Sequence, residues 1–310
     1  MRTTPWVLAV LSVACGCSRP VPTGGGAPIG PRTVEELEAQ IGESGLSLRR
    51  TVAFGFESEA EFGDFYVTPS PHLGTTRHER STEAFTGGSS HHAWIEGTNP
   101  VVAGENTNHR GYPTVQFQKT AGGPLQGVVL IEFMAWLDIE LKARANQEWF
   151  SFITTTSYAD DSWPRTVLFN LDPDRLARLM HVPGQLQRTI DLFEGDAGYP
   201  LREWVRISML LDYTSVNAAG GPYAKVWLDG QAVSAARFNP RIDPLGVDRA
   251  LWPACLDGWD EQSVETAEAL CGLEYAGGLA QVHLGMYAPP LISSGDVYND
   301  ELYFYELARP

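Results

Sequence analysis

The chain has 310 residues, and its 22 Lys and Arg against 38 Asp and Glu give a formal net charge of −16. This acidic balance excludes general binding to nucleic acids or anionic membranes, because both require a basic surface. Hydrophobic residues make up 43% of the chain, which is enough for a large core, and the 31 Gly and 21 Pro are typical of a turn-rich β protein. A polyanionic ligand would require that basic residues be gathered in one place.

Residues 1–17 (MRTTPWVLAVLSVACGC) are typical of an export signal, because a positive residue precedes an apolar stretch that is too short to span a bilayer. The small residue before Cys15 or before Cys17 resembles a bacterial lipoprotein cleavage box, in which the new N-terminal cysteine is lipidated. We therefore expect an exported lipoprotein of the cell surface or periplasm, with the lipid anchor as its only contact with a membrane. The alternative is an ordinary signal peptide and a secreted protein.

The following segment, residues 18–49, combines a Pro- and Gly-rich stretch with a short helix. Residues 18–32 are predicted to be a disordered tether because of this composition. The acidic start and the spacing of Thr33–Leu48 predict a helix. Residues 50–310 are then expected to form one domain, which we expect to be a monomer.

Strand patterns dominate after residue 50. Gly127–Leu141 is the longest, and its Ile, Phe and Leu residues recur with a period of two. Asp229 and Gly230 separate two strand patterns and predict a two-residue hairpin turn, since glycine tolerates the positive φ that this turn requires. The other predicted strands are Arg50–Phe56, Tyr112–Lys119, Trp149–Thr156, Thr166–Leu171, Trp204–Tyr213, Tyr223–Leu228, Ala232–Phe238, Ala280–Tyr287 and Glu301–Leu307, while Pro173–Met180 fits a short helix or the approach to a strand.

More than ten such strands, joined by hairpins and without a βαβ rhythm, predict an all-β fold, an antiparallel β-sandwich of the jelly-roll type. Residues 239–278 lack periodicity and contain Cys255 and Cys271. In an oxidising compartment these two cysteines are expected to form a disulfide, so we interpret the segment as a disulfide-pinned insertion.

The densest cluster of polar residues begins at His109 and Arg110 and continues into an alternating strand. Tyr112, Gln116 and Gln118 share one face of that strand, together with a threonine. One interpretation is a groove that hydrogen-bonds to sugar hydroxyls or carboxylates. The other is a solvated outer face of a sheet.

Two further segments carry candidate residues. His91 and His92 are adjacent before a strand, so at most one of them lines a given groove, and either is a candidate proton carrier near neutral pH. His283, Gly285 and Tyr287 share one face of a later strand, where a glycine between two polar side chains leaves room for a ligand. The alternatives are surface histidines and a tyrosine that only packs.

Carboxylates suggest two other possibilities. Asp138 and Glu140 share a strand face, with Glu132 further back, and their spacing resembles part of the E-x-D-x-E strand motif of retaining β-sandwich glucanases, although Trp136 stands at the first position. Glu57 and the segment Tyr298–Glu301 leave open a structural calcium, with a hydrogen-bonded turn as the alternative; no other cofactor is expected.

The combination of an exported jelly roll, the polar strand after His109-Arg110 and the late Gly285-Met286-Tyr287 resembles the concanavalin A-like polysaccharide lyases, which include alginate, glucuronan and heparin lyase I-like enzymes. The resemblance covers roughly Val52–Leu307. The late strand of alginate lyases reads approximately K-A-G-x-Y, so the Gly and Tyr match here. Those enzymes also carry a Q-x-H pair on a central strand, which Phe150–Thr156 lacks.

The resemblance implies β-elimination on a uronic-acid-containing polysaccharide. Tyr287 would act as base and acid, with His109 as an alternative base. Arg110, Gln116 and a histidine such as His92 would neutralise the carboxylate of the sugar. The expected substrate-binding residues are Tyr112, Gln118, His283 and His91. The alternatives are a non-catalytic glycan-binding surface lipoprotein and a β-sandwich glycoside hydrolase that uses Asp138 and Glu140.

Overall fold

The structure is a computed structural model that describes residues 21–59, 74–117, 122–143, 148–156, 166–182, 190–213, 223–237 and 278–310. Cys15, Cys17, Gln118, Cys255 and Cys271 lie outside these ranges, as does nearly all of the predicted insertion. No helix within the ranges has both the length and the apolar character that crossing a bilayer requires.

The described residues form one helix and fifteen strands. These are α1 (Val34–Ile41), β1 (Ser47–Phe54), β2 (Thr76–Ser81), β3 (Ser90–Ile95), β4 (His109–Gly111), β5 (Thr114–Gln116), β6 (Val128–Ile139), β7 (Phe150–Thr156), β8 (Thr166–Leu171), β9 (Leu176–Val182), β10 (Ile190–Gly198), β11 (Trp204–Asp212), β12 (Tyr223–Leu228), β13 (Gln231–Arg237), β14 (Gln281–Ala288) and β15 (Gly295–Ala308).

The strands form two antiparallel sheets, which confirms the predicted jelly-roll sandwich. The first sheet has the order β13-β12-β11-β6-β15-β3-β2, and β1 also pairs with β15. The second sheet has the order β10-β9-β8-β7-β14-β4, and β5 also pairs with β14. The long strands β6 and β15 therefore lie in the middle of one sheet, and β14 connects the short strands β4 and β5 to the rest of the other.

The core lies between the two sheets. On β6 the predicted alternation is observed, because Ile131, Phe133, Ala135 and Leu137 all belong to the central hydrophobic cluster. Large side chains of the second sheet, such as Phe152, face them and are almost completely buried. Burying one such side chain stabilises the fold by about 1.5–3 kcal/mol. Because apolar residues recur with a period of two, each strand has one apolar face, and these faces of the two sheets pack against each other.

The predicted hairpin at Asp229 and Gly230 is confirmed. The φ angles of these residues are 46° and 82°, the positive values that a two-residue turn between twisted strands requires. The turn pairs Leu228 with Gln231 and so sets the register of β12 against β13.

The helix is shorter than predicted. It begins after Thr33, whose side chain and that of Glu36 form a capping box, and it ends at Gly42, which has a left-handed φ of 80°. The apolar side of α1 packs on the outer face of the first sheet, where Leu37 is fully buried. After Gly42 the chain bends, and only Ser47 and Leu48 of the predicted helix belong to strand β1.

The segment predicted to be a tether makes defined contacts from residue 21 onward. The backbone N–H of Gly25 donates to the carbonyl of Phe85 at 3.2 Å. Arg32 forms an ion pair of 2.8 Å with the buried Glu132, which also accepts a hydrogen bond of 2.7 Å from Ser208. The chain before α1 therefore lies against the outer face of the first sheet.

Four observed strands, β2, β3, β4 and β10, are not among the predicted ones, and the prediction for one further segment allows either a helix or the approach to a strand. β2 and β10 are the end strands of their sheets, where charged residues are common and conceal the hydrophobic pattern. The sequence places His91 and His92 in a loop before a strand, whereas both lie within β3. The undecided segment Pro173–Met180 leads into strand β9.

Histidines are buried between the sheets in neutral form. His109 is fully buried, with Thr76 Oγ1 at 2.8 Å from its Nδ1 and the Ile292 carbonyl at 2.9 Å from its Nε2. His91 is also fully buried, and its Nδ1 lies 3.2 Å from the side-chain amide of Asn299. Burial lowers the pKa of both rings and lowers that of His78 to about 4.

These lowered pKa values predict acid sensitivity. A histidine that stays neutral in the fold binds protons more weakly than it does in the unfolded chain, so stability is full above the unfolded pKa of about 6.5 and falls as the pH drops towards 4. His78 alone would account for a loss of up to about 3 kcal/mol across this interval. Asp300, whose pKa burial raises to about 7, acts in the opposite direction over this interval, so the histidine contribution is measured as a difference. Urea unfolding of the protein and of His78→Gln is compared between pH 7.5 and 5. A difference in the free energy of unfolding that does not change over this interval would contradict the prediction.

Candidate functional site

The outward face of the second sheet carries three rows of side chains that run across the strands. We call this outward face the polar face. The inward positions of the same strands, such as Val282 and Leu284, belong to the core, so alternation directs their neighbours outward. The register pairs give a first row of Arg110, Tyr287, Ser151, Asn170 and Arg178, a second of Thr114, His283, Thr154, Leu168 and Met180, and a third of Gln116, Gln281, Thr156 and Thr166.

Charge on these rows changes along the sheet. The first row contains Arg110 at its β4 end and Arg178 on β9. The register continues onto β10, where Glu194 is paired with Arg178 and Asp191 with Met180. An anionic ligand beside Tyr287 would therefore meet Arg110, at the end of the rows that is remote from these acidic positions.

Tyr287 stands second in the first row, next to Arg110, and is only partly buried. Its hydroxyl accepts hydrogen bonds from the side-chain amides of Asn106 at 3.1 Å and Asn108 at 3.2 Å. The rings of Trp149 and Tyr112 meet it edge-on, at centroid distances of 5.0 and 6.1 Å. Since a hydroxyl has two lone pairs and one hydrogen, two amide donors leave the O–H available to a ligand.

Arg110 is the direct cross-strand partner of Tyr287. Side chains at such positions have Cβ atoms about 4.5–5.5 Å apart, so the guanidinium reaches the surroundings of the phenol. Its Nη2 donates to the carbonyl of Asn106 at 3.4 Å. A guanidinium has five donors in a planar fork, so this contact leaves donors that fit a carboxylate.

His283 and Tyr112 form a stacked pair below Tyr287. Their ring centroids are 4.0 Å apart and the ring planes differ by 22°. Burial, together with the nearby charge of Arg110, lowers the pKa of His283 well below its usual range. Burial raises the pKa of Tyr112. Both rings are therefore neutral near pH 7 and present hydrogen-bonding groups without charge.

Gln116 and Gln281 are joined at the end of the third row. The amide nitrogen of Gln116 donates to the Gln281 oxygen at 2.7 Å, and both side chains are buried. Sequence reasoning missed Gln281, although it precedes His283 by two residues and so shares its face. Gln281, Val282 and His283 therefore form a Gln-x-His sequence on β14, whereas the strand β7 has none.

The structure does not bring every predicted residue to this face. His109 points into the core and both of its ring nitrogens are hydrogen-bonded there, so it has no access to a ligand on the polar face. His91 and His92 lie on β3 of the first sheet. His91 is buried between the sheets, and His92 stacks on Tyr298 at 4.0 Å, with its Nε2 3.1 Å from Asp296. The expected roles of these three histidines therefore need correction.

Sequence reasoning also missed Asn106 and Asn108. They lie in the loop before β4 and are separated from Tyr287 by about 180 positions along the chain. The only signal for them is that the polar cluster begins earlier than His109, since Asn106 and Asn108 alternate in the same way as the residues that follow.

Gly285 serves a different purpose from the one predicted. Its φ is 138°, and a Cβ atom built there would lie 2.7 Å from the Gly111 carbonyl and 2.7 Å from the His91 ring. The register against β7 shifts between Leu284 and Tyr287. The missing side chain therefore lets β14 pass close to β4 and to the first sheet, and does not leave space for a ligand.

The carboxylates considered for hydrolysis are not on the polar face. Glu132 and Asp138 lie on the outer side of β6 in the first sheet, and Asp138 forms an ion pair of 3.0 Å with Arg202. Glu140 follows the end of β6 and is largely exposed, 3.7 Å from Lys142. The sandwich core separates these groups from Tyr287, so the arrangement does not support a hydrolase that uses Asp138 and Glu140.

The carboxylates considered for calcium are occupied by protein donors. Asp300 accepts the backbone N–H groups of Phe85, Thr86 and Glu301, and burial raises its pKa to about 7. Glu57 accepts the N–H of Gly88. Within the described ranges, no three His, Cys, Asp or Glu residues are grouped to hold a metal ion.

Comparison of the sequence with protein-family models finds no match, and comparison with curated proteins finds none either. Among solved structures, the chain is similar to the marine PL-14 alginate lyase from Aplysia kurodai, with a TM-score of 0.47 and 9% identity over 83% of this chain and 98% of that one. It is also similar to the cellulose induced protein Cip1, with a TM-score of 0.43 and 14% identity over 78% and 90% of the two chains. A third is the endo-1,3-beta-glucanase from Streptomyces sioyaensis, with a TM-score of 0.40 and 10% identity over 86% and 98%.

The close packing at Gly285 predicts that Gly285→Ala destabilises the fold. The added methyl group must displace either backbone or a buried ring, which costs about 1–3 kcal/mol or more. Gly198→Ala is the matched control, because its Cβ would meet nothing closer than 3.7 Å. Urea unfolding compares the two variants. Equal stability of both would show that the contact at Gly285 is relieved without cost.

Proposed function

We propose that the protein is an exported polysaccharide lyase that cleaves a uronic-acid-containing polymer by β-elimination on the polar face. The observation that carries this proposal is the placement of Tyr287. Its hydroxyl is partly accessible, two amide groups hold its oxygen, and a guanidinium is the nearest cross-strand neighbour. Export as a lipid-anchored protein remains part of the proposal on sequence grounds.

Arg110 has the role of binding the C5 carboxylate of the sugar. The negative charge of this group opposes formation of a carbanion at C5, and a guanidinium fork bound to both oxygens reduces that opposition. His283 shares the face with Tyr287, and the ring of Tyr112 contacts both of them, so His283 supplies a neutral hydrogen bond close to the phenol. The low pKa of His283 keeps its ring uncharged at neutral pH.

Tyr287 then transfers the proton. As a phenolate it removes the hydrogen from C5, the C–H electron pair forms the double bond between C4 and C5, and the bond from C4 to the glycosidic oxygen breaks. The same phenol returns its proton to the leaving oxygen, so atoms and electrons balance without a co-reactant. The amides of Asn106 and Asn108 hold the oxygen in position during both transfers.

A substitution at Tyr287 tests the assignment. Tyr287→Phe removes the only proton-transferring atom and leaves the ring packing, so turnover should fall by at least about a hundredfold while the circular dichroism spectrum stays unchanged. Alginate, glucuronan, pectic and glycosaminoglycan polymers are screened with the unsubstituted protein for the ultraviolet absorbance of an unsaturated uronate. A folded Phe variant that retains full activity would overturn the role of Tyr287.

The two asparagines give a second prediction. Asn108→Ala removes one of the two donors to the Tyr287 oxygen and should lower kcat by about tenfold, with KM little changed, because the donor acts on the reacting atom and not on the polymer. Glu105→Ala, in the same exposed loop, is the control and should leave kcat unchanged. A change confined to KM would place Asn108 in binding instead.

A non-catalytic glycan-binding protein is the second candidate, favoured by the stack of Tyr112 on His283 and by Trp149 beside Tyr287. Aromatic rings next to hydrogen-bonding groups suit a sugar whether or not it reacts. The same screen separates the candidates. A lyase produces ultraviolet absorbance, a hydrolase produces reducing ends without it, and a binding protein retains the polymer unchanged.

A further inference from the structure

The outer face of the first sheet carries a stack of aromatic side chains near the end of β3. The ring centroid of His92 lies 4.7 Å from that of Trp94 and 4.0 Å from that of Tyr298, and the ring planes differ by 20° and 5°. These side chains point outward, because their neighbours Ala93 and Val297 belong to the core. Among the described residues Trp94 makes no other ring contact, so it forms one end of the stack.

The indole of Trp94 is held at its edge and is partly exposed. Its Nε1 donates to Oε1 of Glu96 at 3.0 Å, and Oε2 of Glu96 lies 3.5 Å from Nη2 of Arg77. The side chains of Arg77 and Glu96 are 42% and 47% exposed. The ring is therefore oriented before any ligand arrives, which lowers the entropic cost of binding. An aromatic ring beside exposed hydrogen-bonding groups suits the C–H face of a sugar.

A second group of polar atoms lies two strands away on the same row. Register pairs join Trp94 to Asp296 and Asp296 to Asp138, so the backbones at Trp94 and Asp138 are about 10 Å apart. Oδ1 of Asp138 accepts a hydrogen bond of 3.0 Å from Nε of Arg202. The Arg202 side chain is 61% exposed, and this is the only hydrogen bond of its guanidinium to the described residues. Since a guanidinium has five N–H donors, four remain for a ligand.

The charges on this row compensate one another. Arg77 is paired with Glu96 and Arg202 with Asp138, while Asp296 adds a further carboxylate between the two pairs. A polyuronate would meet three carboxylates here and only two guanidinium groups, both already paired. The hydroxyl groups of an uncharged sugar donate to carboxylates and accept from guanidinium groups, so they fit both members of each pair.

We propose that Trp94 and the pair of Asp138 with Arg202 form a binding site for a neutral glycan on the outer face of the first sheet. One sugar unit stacks on the exposed part of the indole, and a unit further along the glycan exchanges hydrogen bonds with Asp138 and Arg202. The sandwich core separates this site from Tyr287, so a neutral glycan is held here whether or not the polar face is occupied.

Affinity electrophoresis tests the site without any turnover, in gels that contain laminarin, hydroxyethyl cellulose or galactomannan. At least one of these neutral polymers should retard the protein. Trp94→Ala and Arg202→Met should each raise the apparent Kd for that polymer by about tenfold. The matched controls are Trp149→Ala, which removes an indole from beside Tyr287, and Arg49→Met, which removes an exposed guanidinium from β1; both should leave retardation unchanged.

Arg202→Met keeps the test decisive if Trp94→Ala does not fold, because the Arg202 side chain is largely exposed. The site is wrong if none of the three neutral polymers retards the protein, or if folded Arg202→Met is retarded as strongly as Arg49→Met. Equal weakening by Trp94→Ala and Trp149→Ala would move binding away from the outer face. Weakening by Arg202→Met that is confined to an alginate gel would overturn the assignment to a neutral glycan.

Discussion

The alternation of side chains along β14 is the constraint on which the polar face depends. Val282, Leu284 and Met286 are fully buried between the sheets, and this burial leaves Tyr287 and His283 no orientation but outward. β14 pairs with β4 and β5 on one side and with β7 on the other, so its register also fixes which residues stand beside those two. A shift of one residue would exchange the core and the polar face, and the loss of apolar burial forbids it.

Several carboxylates outside the polar face are compensated by neighbouring groups. Glu132 is paired with Arg32, Asp138 with Arg202, and Asp300 accepts hydrogen bonds from backbone N–H groups. The acidic positions nearest the polar face, Asp191 and Glu194, lie on β10, at the end of the sheet remote from Arg110. The net charge of the chain alone therefore does not decide which ligands the surface around Arg110 accepts.

The sequence predicted those elements in which local and long-range preferences agree. β8 and β12 were predicted at their observed bounds, because both are runs of β-forming residues, and the turn at Asp229 is encoded by its own two residues. The sequence prediction assigned both His109 and Arg110 to the site, but adjacent strand residues point to opposite faces, so only Arg110 lies on the polar face. The contact of Asn106 with Tyr287 joins distant parts of the chain, so no local pattern reveals it. β2 was missed because charged residues on an end strand conceal its alternation.

The chain before α1 lies on one side of the sandwich. Residues 21–32 lie along the outer face of the first sheet, and the ion pair of Arg32 with Glu132 fastens them there. This segment and the polar face therefore lie on opposite sides of the sandwich. If the protein is anchored through its N-terminal region, as proposed from the sequence, this arrangement would leave the polar face accessible to long polymers.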